Sequence, residues 1–200
     1  SSMPILLAAH EQIKAKDPAL YTQTAEQIKI LREWDHNASA ASVATNLAIH
    51  WAERMNQFFA EEDPELLSDF TVNYGRMLRQ TDPMKLVSTL KEVSDWLAGN
   101  HGSWQVSWGE VNRMQRIVNS ITPVHDDSKP SIAIGRASSQ WGMLPSLNSR
   151  YFNTKKRYAY GGNSFVCAVE FGEKLRAKSI LAGGNSGDIR SPHFFDQSAM

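Results

Sequence analysis

The residues of this 200-residue chain whose types could do chemistry are six histidines, one cysteine and several serines beside glycine. His10, His36, His50, His101, His125 and His193 never fall in the H-x-x-x-H or H-x-H spacing of a local metal site. His125-Asp126-Asp127, and His193 with Asp196, each offer a nitrogen and an oxygen. Zinc and calcium motifs supply several ligands at fixed spacing, so solvated or hydrogen-bonding roles are the plainer reading. Cys167 stands alone, which excludes an internal disulfide and any zinc site built on two or more thiolates. No metal and no other cofactor is expected.

A serine nucleophile on a strand-to-helix elbow reads G-x-S-x-G, and Gly184-Asn185-Ser186-Gly187-Asp188 departs from it at the last glycine. Asp188-Ile189-Arg190-Ser191-Pro192 then reads as turn chemistry, not as a helix start. Gly183-Gly184 is not followed by the Lys-Ser or Lys-Thr of a phosphate loop, so these glycines are expected to serve tight turns. Ser1 could use its own α-amine as a base. It precedes Ser2-Met3-Pro4 and a helix, whereas such a nucleophile belongs at a strand end beside oxyanion donors. No catalytic residue is therefore assigned. Trp104, Trp108 and Trp141 either line a pocket for an apolar ligand or pack a core, and the high average burial of tryptophan favours the core. Asn112, Arg113 and Arg116 are expected on a short helix after Trp108, binding backbone carbonyls or carboxylates.

The elements that must position these residues divide the chain into a helical segment, 1–120, and a loop-rich segment with a β-hairpin, 121–200, an α+β arrangement. Asp17-Pro18, Asp63-Pro64 and Asp82-Pro83 each pair an N-cap with a proline at the first helical position, so each should start a helix. After Asp82, the stripe Leu86, Leu90, Val93 and Leu97 predicts a helix ending near Ala98, with Gly99 as its left-handed cap. Val43, Leu47, Trp51, Met55 and Phe58 predict another over about 39–60. Ile5, Ala9 and Ile13, then Ile28, Leu31 and Trp34, predict two more. Helical spacing also survives around 110–120. Residues 164–171 and 174–182 read as a hairpin joined at Gly172-Glu173 by a two-residue type II′ turn. Arg176 and Lys178 should face water, and both faces of the first strand should be covered.

Composition sets the outer limits. The 21 basic and 21 acidic side chains leave no excess to neutralise phosphates, so neither nucleic acid nor an anionic membrane is expected as a partner. At 42% hydrophobic and 21% charged the chain is too apolar to be disordered, and its length can bury roughly 70% of the unfolded surface. No apolar stretch approaches the roughly 18 residues of a membrane helix, and residues 1–20 lack a signal peptide's pattern.

A combined pattern in the second half carries more. Trp104-Gln105-Val106-Ser107-Trp108-Gly109-Glu110-Val111-Asn112-Arg113, then Gly161-Gly162-Asn163-Ser164-Phe165-Val166 and Val169-Glu170-Phe171-Gly172, lead to Gly184-Asn185-Ser186-Gly187-Asp188, Ser191-Pro192-His193-Phe194 and Asp196-Gln197. In that order they resemble the C-terminal part of penicillin-acylase-type amidohydrolases, the family of penicillin, cephalosporin and acyl-homoserine-lactone acylases. Leu31-Arg32-Glu33-Trp34-Asp35 is similar to the segment that precedes it. The resemblance implies an N-terminal-nucleophile hydrolase whose β-chain begins with the catalytic serine and works through an acyl-enzyme. Ser1-Ser2-Met3 does not match the nucleophile motif, so that role is not carried to Ser1. The implied partners are an α-chain and the N-terminal part of the β-chain, with a small N-acyl compound as substrate and a periplasmic or secreted location. The missing initiator Met and the stop at Met200 suggest a fragment, inactive alone, whose hairpin completes the family's αββα sandwich. Exposed strand edges make homodimerisation or swapping an expectation. The competing reading is a non-catalytic module that binds a peptide or lipid-like ligand through Arg113 and the three tryptophans.

Overall fold

The computed structural model describes residues 2–62, 70–118, 122, 124–163, 165–181, 183–194 and 196. It is an α+β protein of two compact units, Ser1–Asn37 with Val43–Ser107, and Ala38–Ser42 with Trp108–Met200. No helix among the described residues is long and apolar enough to cross a membrane.

The first unit is helical: α1 (Met3–Ile13), α2 (Pro18–Gln23), α3 (Ala25–Glu33), α4 (Val43–Glu62), α5 (Phe70–Gln80) and α6 (Pro83–His101). Two of the three Asp-Pro pairs act as the sequence predicts. Asp17 accepts the Leu20 N–H at 2.9 Å, and Asp82 accepts the Met84 N–H at 2.9 Å. Asp63-Pro64 lies outside the described residues. The core takes Leu6 and Ile13 from α1, Ile28 and Leu31 from α3, Leu47, Trp51 and Met55 from α4, and Leu86, Leu90 and Leu97 from α6. The Trp51 indole also donates to the Leu86 carbonyl at 2.9 Å, so this buried ring leaves no unsatisfied donor. Phe59, not Phe58, supplies the fully covered ring near the end of α4.

The end of α6 corrects the expectation that Gly99 caps it. The helix runs three residues past Ala98 to His101, and Gly102 takes the left-handed conformation at φ 81°, donating to the Ala98 carbonyl at 2.9 Å. Glycine tolerates the helix interior at a small entropic cost, so the first glycine after an apolar stripe need not end it.

The second unit holds α7 (Trp108–Val111) and the strands β1 (Asn112–Met114), β2 (Ile132–Ala133), β3 (Leu147–Tyr151), β4 (Arg157–Gly162), β5 (Phe165–Glu170) and β6 (Arg176–Leu181). Four strands form a sheet in the order β2-β1-β4-β3, with β1 parallel to β4 and the other pairs antiparallel. The helical spacing read over 110–120 therefore holds for one turn only, and Asn112 and Arg113 lie on a strand. Residues 38–42 belong to this unit: the carbonyls of Ser42 and Ala40 accept the Trp108 and Gly109 N–H groups at 3.0 and 2.7 Å. That pairing satisfies the first free donors of α7 and explains why α4 begins at Val43, not near Ser39.

β5 and β6 pair from Phe165↔Leu181 to Glu170↔Arg176, as the predicted hairpin requires. Its turn differs. The register leaves five residues, 171–175, between the strands, and Gly172 is not among the glycines with positive φ, so no two-residue type II′ turn forms. The longer loop reverses the chain without a left-handed residue at Gly172. Arg176 and Lys178 are exposed as expected, but most of β5 is exposed too, against the expectation of two covered faces. Side chains alternate across a strand, so Phe165, Cys167 and Val169 share one face with Ala177, Ser179 and Leu181. Charge sits on the other face, with Glu170, Arg176 and Lys178.

Candidate functional site

The polar residues singled out in the second half converge on β1 and on two glycine turns, where they hold backbone in place. Asn112 is fully buried; its side-chain amide donates to the carbonyls of Ile134 (3.1 Å) and Arg136 (2.9 Å), while its backbone carbonyl accepts the Ile134 N–H at 3.1 Å. Arg113 spends its fork the same way: Nη1 donates to the Gly109 carbonyl at 2.8 Å, Nη2 to the Ser131 carbonyl at 2.5 Å and Nε to the Ser131 hydroxyl at 3.0 Å. The backbone-carbonyl role foreseen for Arg113 is present, on a strand instead of a helix. Gln115 grips a loop from both ends of its amide, accepting the Asp126 N–H at 2.8 Å and donating to the Asp126 carbonyl at 2.8 Å.

Each glycine turn is built on a close backbone approach. At Gly162 a β-carbon would sit 2.4 Å from the Ser146 carbonyl oxygen, and the next residue, Asn163, accepts the Ser146 N–H at 2.7 Å and its hydroxyl at 3.1 Å. At Gly184 a β-carbon would sit 2.2 Å from the His193 carbonyl oxygen, which accepts the Ser186 N–H at 3.1 Å. Arg116 closes this second turn, donating to the Phe194 carbonyl at 2.8 Å with its guanidinium 3.9 Å over the Phe194 ring. The turn function expected of Gly183 and Gly184 is what the structure shows, with Gly183 at φ 91°.

The remaining candidates are equally occupied. Ser186 Oγ accepts the Asp188 N–H at 3.1 Å, and Pro192–Phe194 is one 3-10 turn, so no elbow presents this hydroxyl. His193 Nδ1 lies 2.7 Å from Asp196 Oδ2 on the surface. No group of three or more His, Cys, Asp or Glu among the described residues is placed to hold a metal ion. Trp108 is fully buried, whereas Trp104 and Trp141 are half-buried and fall in different units. Ser1 lies outside the described residues. Sequence reasoning missed Arg157, which is 5% exposed, donates to the Ser149 carbonyl at 2.8 Å and stacks 5.4 Å over Trp108. Nothing local marks it, because its partners lie 8 and 49 residues away in sequence.

A family model described as penicillin amidase matches residues 3–200. The chain belongs to the penicillin amidase family. No curated protein matches it. Membership places it among the amidohydrolases of that family and accounts for the ordered pattern from Trp104 to Asp196. In this penicillin amidase chain Asn112, Arg113, Asn163 and Gly184 of that pattern hold or cross backbone through the contacts described above. Arg113→Lys tests that role, since lysine keeps the charge but not the fork. It should destabilise the second unit by about 1.5–3 kcal/mol, the range for hydrogen bonds from a charged donor. Denaturant unfolding followed by hydrogen exchange in β1 checks it, and an unchanged midpoint would remove Arg113 from the scaffold.

Proposed function

We propose that this chain is the C-terminal segment of a β-chain in a penicillin-acylase-type amidohydrolase, and that it supports the catalytic site without contributing to it. The whole enzyme would hydrolyse the amide bond of N-acyl compounds, β-lactam side chains or acyl-homoserine lactones. An N-terminal serine on an upstream part of the β-chain would form the acyl-enzyme, with its α-amine as base. A backbone N–H and an asparagine amide, also upstream, would hold the oxyanion. The partners are that upstream part and an α-chain, and the enzyme would be periplasmic or secreted.

One observation carries this reading: Asn112, Arg113, Arg116, Asn163 and Gly184 all serve to hold backbone, while a charge-free hairpin face stands exposed. On that face Phe165 is 57% and Val169 43% exposed, and Phe171 in the adjoining turn is 85% exposed. Apolar surface of this kind is what a strand pair offers to a sheet or helix layer supplied by other chain.

The pure 200-residue protein should show no turnover of an N-acyl-homoserine lactone or of a chromogenic penicillin analogue. Co-expression with the upstream part of the precursor should produce amidase activity and shield Cys167, which is exposed on the hairpin face, from a thiol reagent. Turnover by the chain alone would sink the proposal. So would an assembled, active enzyme in which Cys167 still labels at the free rate.

A further inference from the structure

A second arrangement in the β-sheet unit takes no part in the motif turns. The ring of His125 lies parallel to Tyr158, with centroids 4.7 Å apart and planes 4° apart, and against Phe152 at 4.5 Å. Both of its ring nitrogens are buried, and neither has a hydrogen-bond partner among the described residues. An imidazolium carries two N–H donors and a full charge, whereas the neutral ring carries one donor and none, so this slot accepts the neutral form far more readily. Two residues on, Asp127 accepts the Lys155 N–H at 2.7 Å, the Lys156 N–H at 3.3 Å and the Tyr158 hydroxyl at 3.0 Å. Ring and carboxylate together fasten one segment to the turn between β3 and β4.

The carboxylates next to the ring in sequence are hydrogen-bonded to other groups. On its own segment, Asp126 Oδ1 is taken by the Ser128 N–H and hydroxyl, Asp127 is engaged as above, and Lys129 carries positive charge. From the β3–β4 hairpin come Lys155, Lys156 and the phenols of Tyr158 and Tyr160, with Arg150 stacked on Phe152 and Tyr160. From β1 comes Arg113, close enough to act on the Tyr158 phenol. None of these groups is hydrogen-bonded to His125 among the described residues, and burial alone pushes its imidazole below the ordinary value.

We propose that His125 is an acid-releasable plug: neutral, it fills the slot between Phe152 and Tyr158 and lets Asp127 bind the 155–158 turn; protonated, it leaves the slot and frees that turn. A ring that binds its proton more readily outside the slot stabilises the closed segment fully above its free value of about 6.5, and that stabilisation fades as pH falls toward the lower, closed-state value. Gln115 holds the Asp126 end of the segment by neutral hydrogen bonds, so release is local to the ring and to the turn.

Hydrogen exchange of the Lys155 and Lys156 amides between pH 7.5 and 5 tests the plug on the intact chain. Corrected for intrinsic rates, their protection should fall by up to about tenfold per pH unit below about 6.5, while amides in the middle of β4 keep theirs. His125→Phe keeps an aromatic filler without a proton site and should flatten the dependence; Asp127→Asn should lower protection without removing it. Flat protection in the wild type, or the same loss in His125→Phe, would overturn the proposal. Should His125→Phe not fold, NMR titration of the wild-type imidazole decides: a midpoint below about 6.5 supports the plug, and one at or above it overturns the plug.

Discussion

Trp108→Ala should destabilise the β-sheet unit by about 3–5 kcal/mol, the cost of emptying a tryptophan-sized volume from a packed core. Trp108 is fully buried in a unit whose core also takes Val111, Ile134, Ala137 and Tyr158, and the Arg157 guanidinium lies 5.4 Å over its ring. Its backbone anchors α7 through the Trp108 N–H on the Ser42 carbonyl, so the loss extends into the turn that delivers Asn112 and Arg113. Hydrogen exchange in β1 and β4 reports this unit by itself, and it should show faster opening with no equal change in α4 or α6. Trp108→Phe should cost less, because most of the ring volume stays. The experiment separates the two roles a loop tryptophan can have: a pocket-lining ring on the surface would leave stability within about 0.5 kcal/mol. A result that small would return Trp108 to ligand binding.

What could be read in the sequence follows from how local each cause is. Asp17 and Asp82 cap helices two or three residues away, so a six-residue window contains both cause and effect. The four-stranded sheet is the opposite case. β1 has three residues and β2 two, too short for alternation to register, and β1 pairs in parallel with β4 through Asn112↔Arg157 and Arg113↔Tyr158, 45 residues apart. Trp108 and Val111 do share one helical turn, and the spacing that continues to Gln115 hides the switch to a strand. The motif residues were legible as a pattern and not as roles. Nothing near Asn163 says that it will hold Ser146, and nothing near Gln115 says that it will grip Asp126. Asn163 and Gln115 each bind backbone 11 or more residues away, so no local window contains both partners. The hairpin was readable as two strands, but strand alternation shows only which residues share a face and not what covers it.

Gly184→Ala and Gly187→Ala should differ sharply although they stand three residues apart in one Gly-Asn-Ser-Gly run. At Gly184 a β-carbon would lie 2.2 Å from the His193 carbonyl oxygen, 2.9 Å from Asp196 Oδ1 and 3.0 Å from the Phe194 carbonyl carbon. Two of these are backbone atoms, which cannot swing aside as a side-chain end can. Relief requires the Ser186 N–H to give up the His193 carbonyl, and it shifts Phe194, which is buried under the Arg116 guanidinium. Overpacking against rigid neighbours costs about 1–3 kcal/mol, and the lost hydrogen bond and stacked ring place this substitution at about 3 kcal/mol. At Gly187 nothing lies within 4 Å of the added carbon and φ is not positive, so alanine there should change stability by less than about 0.5 kcal/mol. Thermal unfolding of the pair, read beside exchange of the Ser186 amide, measures the contrast. Equal stabilities would mean that the Gly184 turn does not bear on the fold. The predicted gap ties this glycine to a backbone crossing, and Ser186, two residues later, spends its hydroxyl on the Asp188 N–H of the same turn.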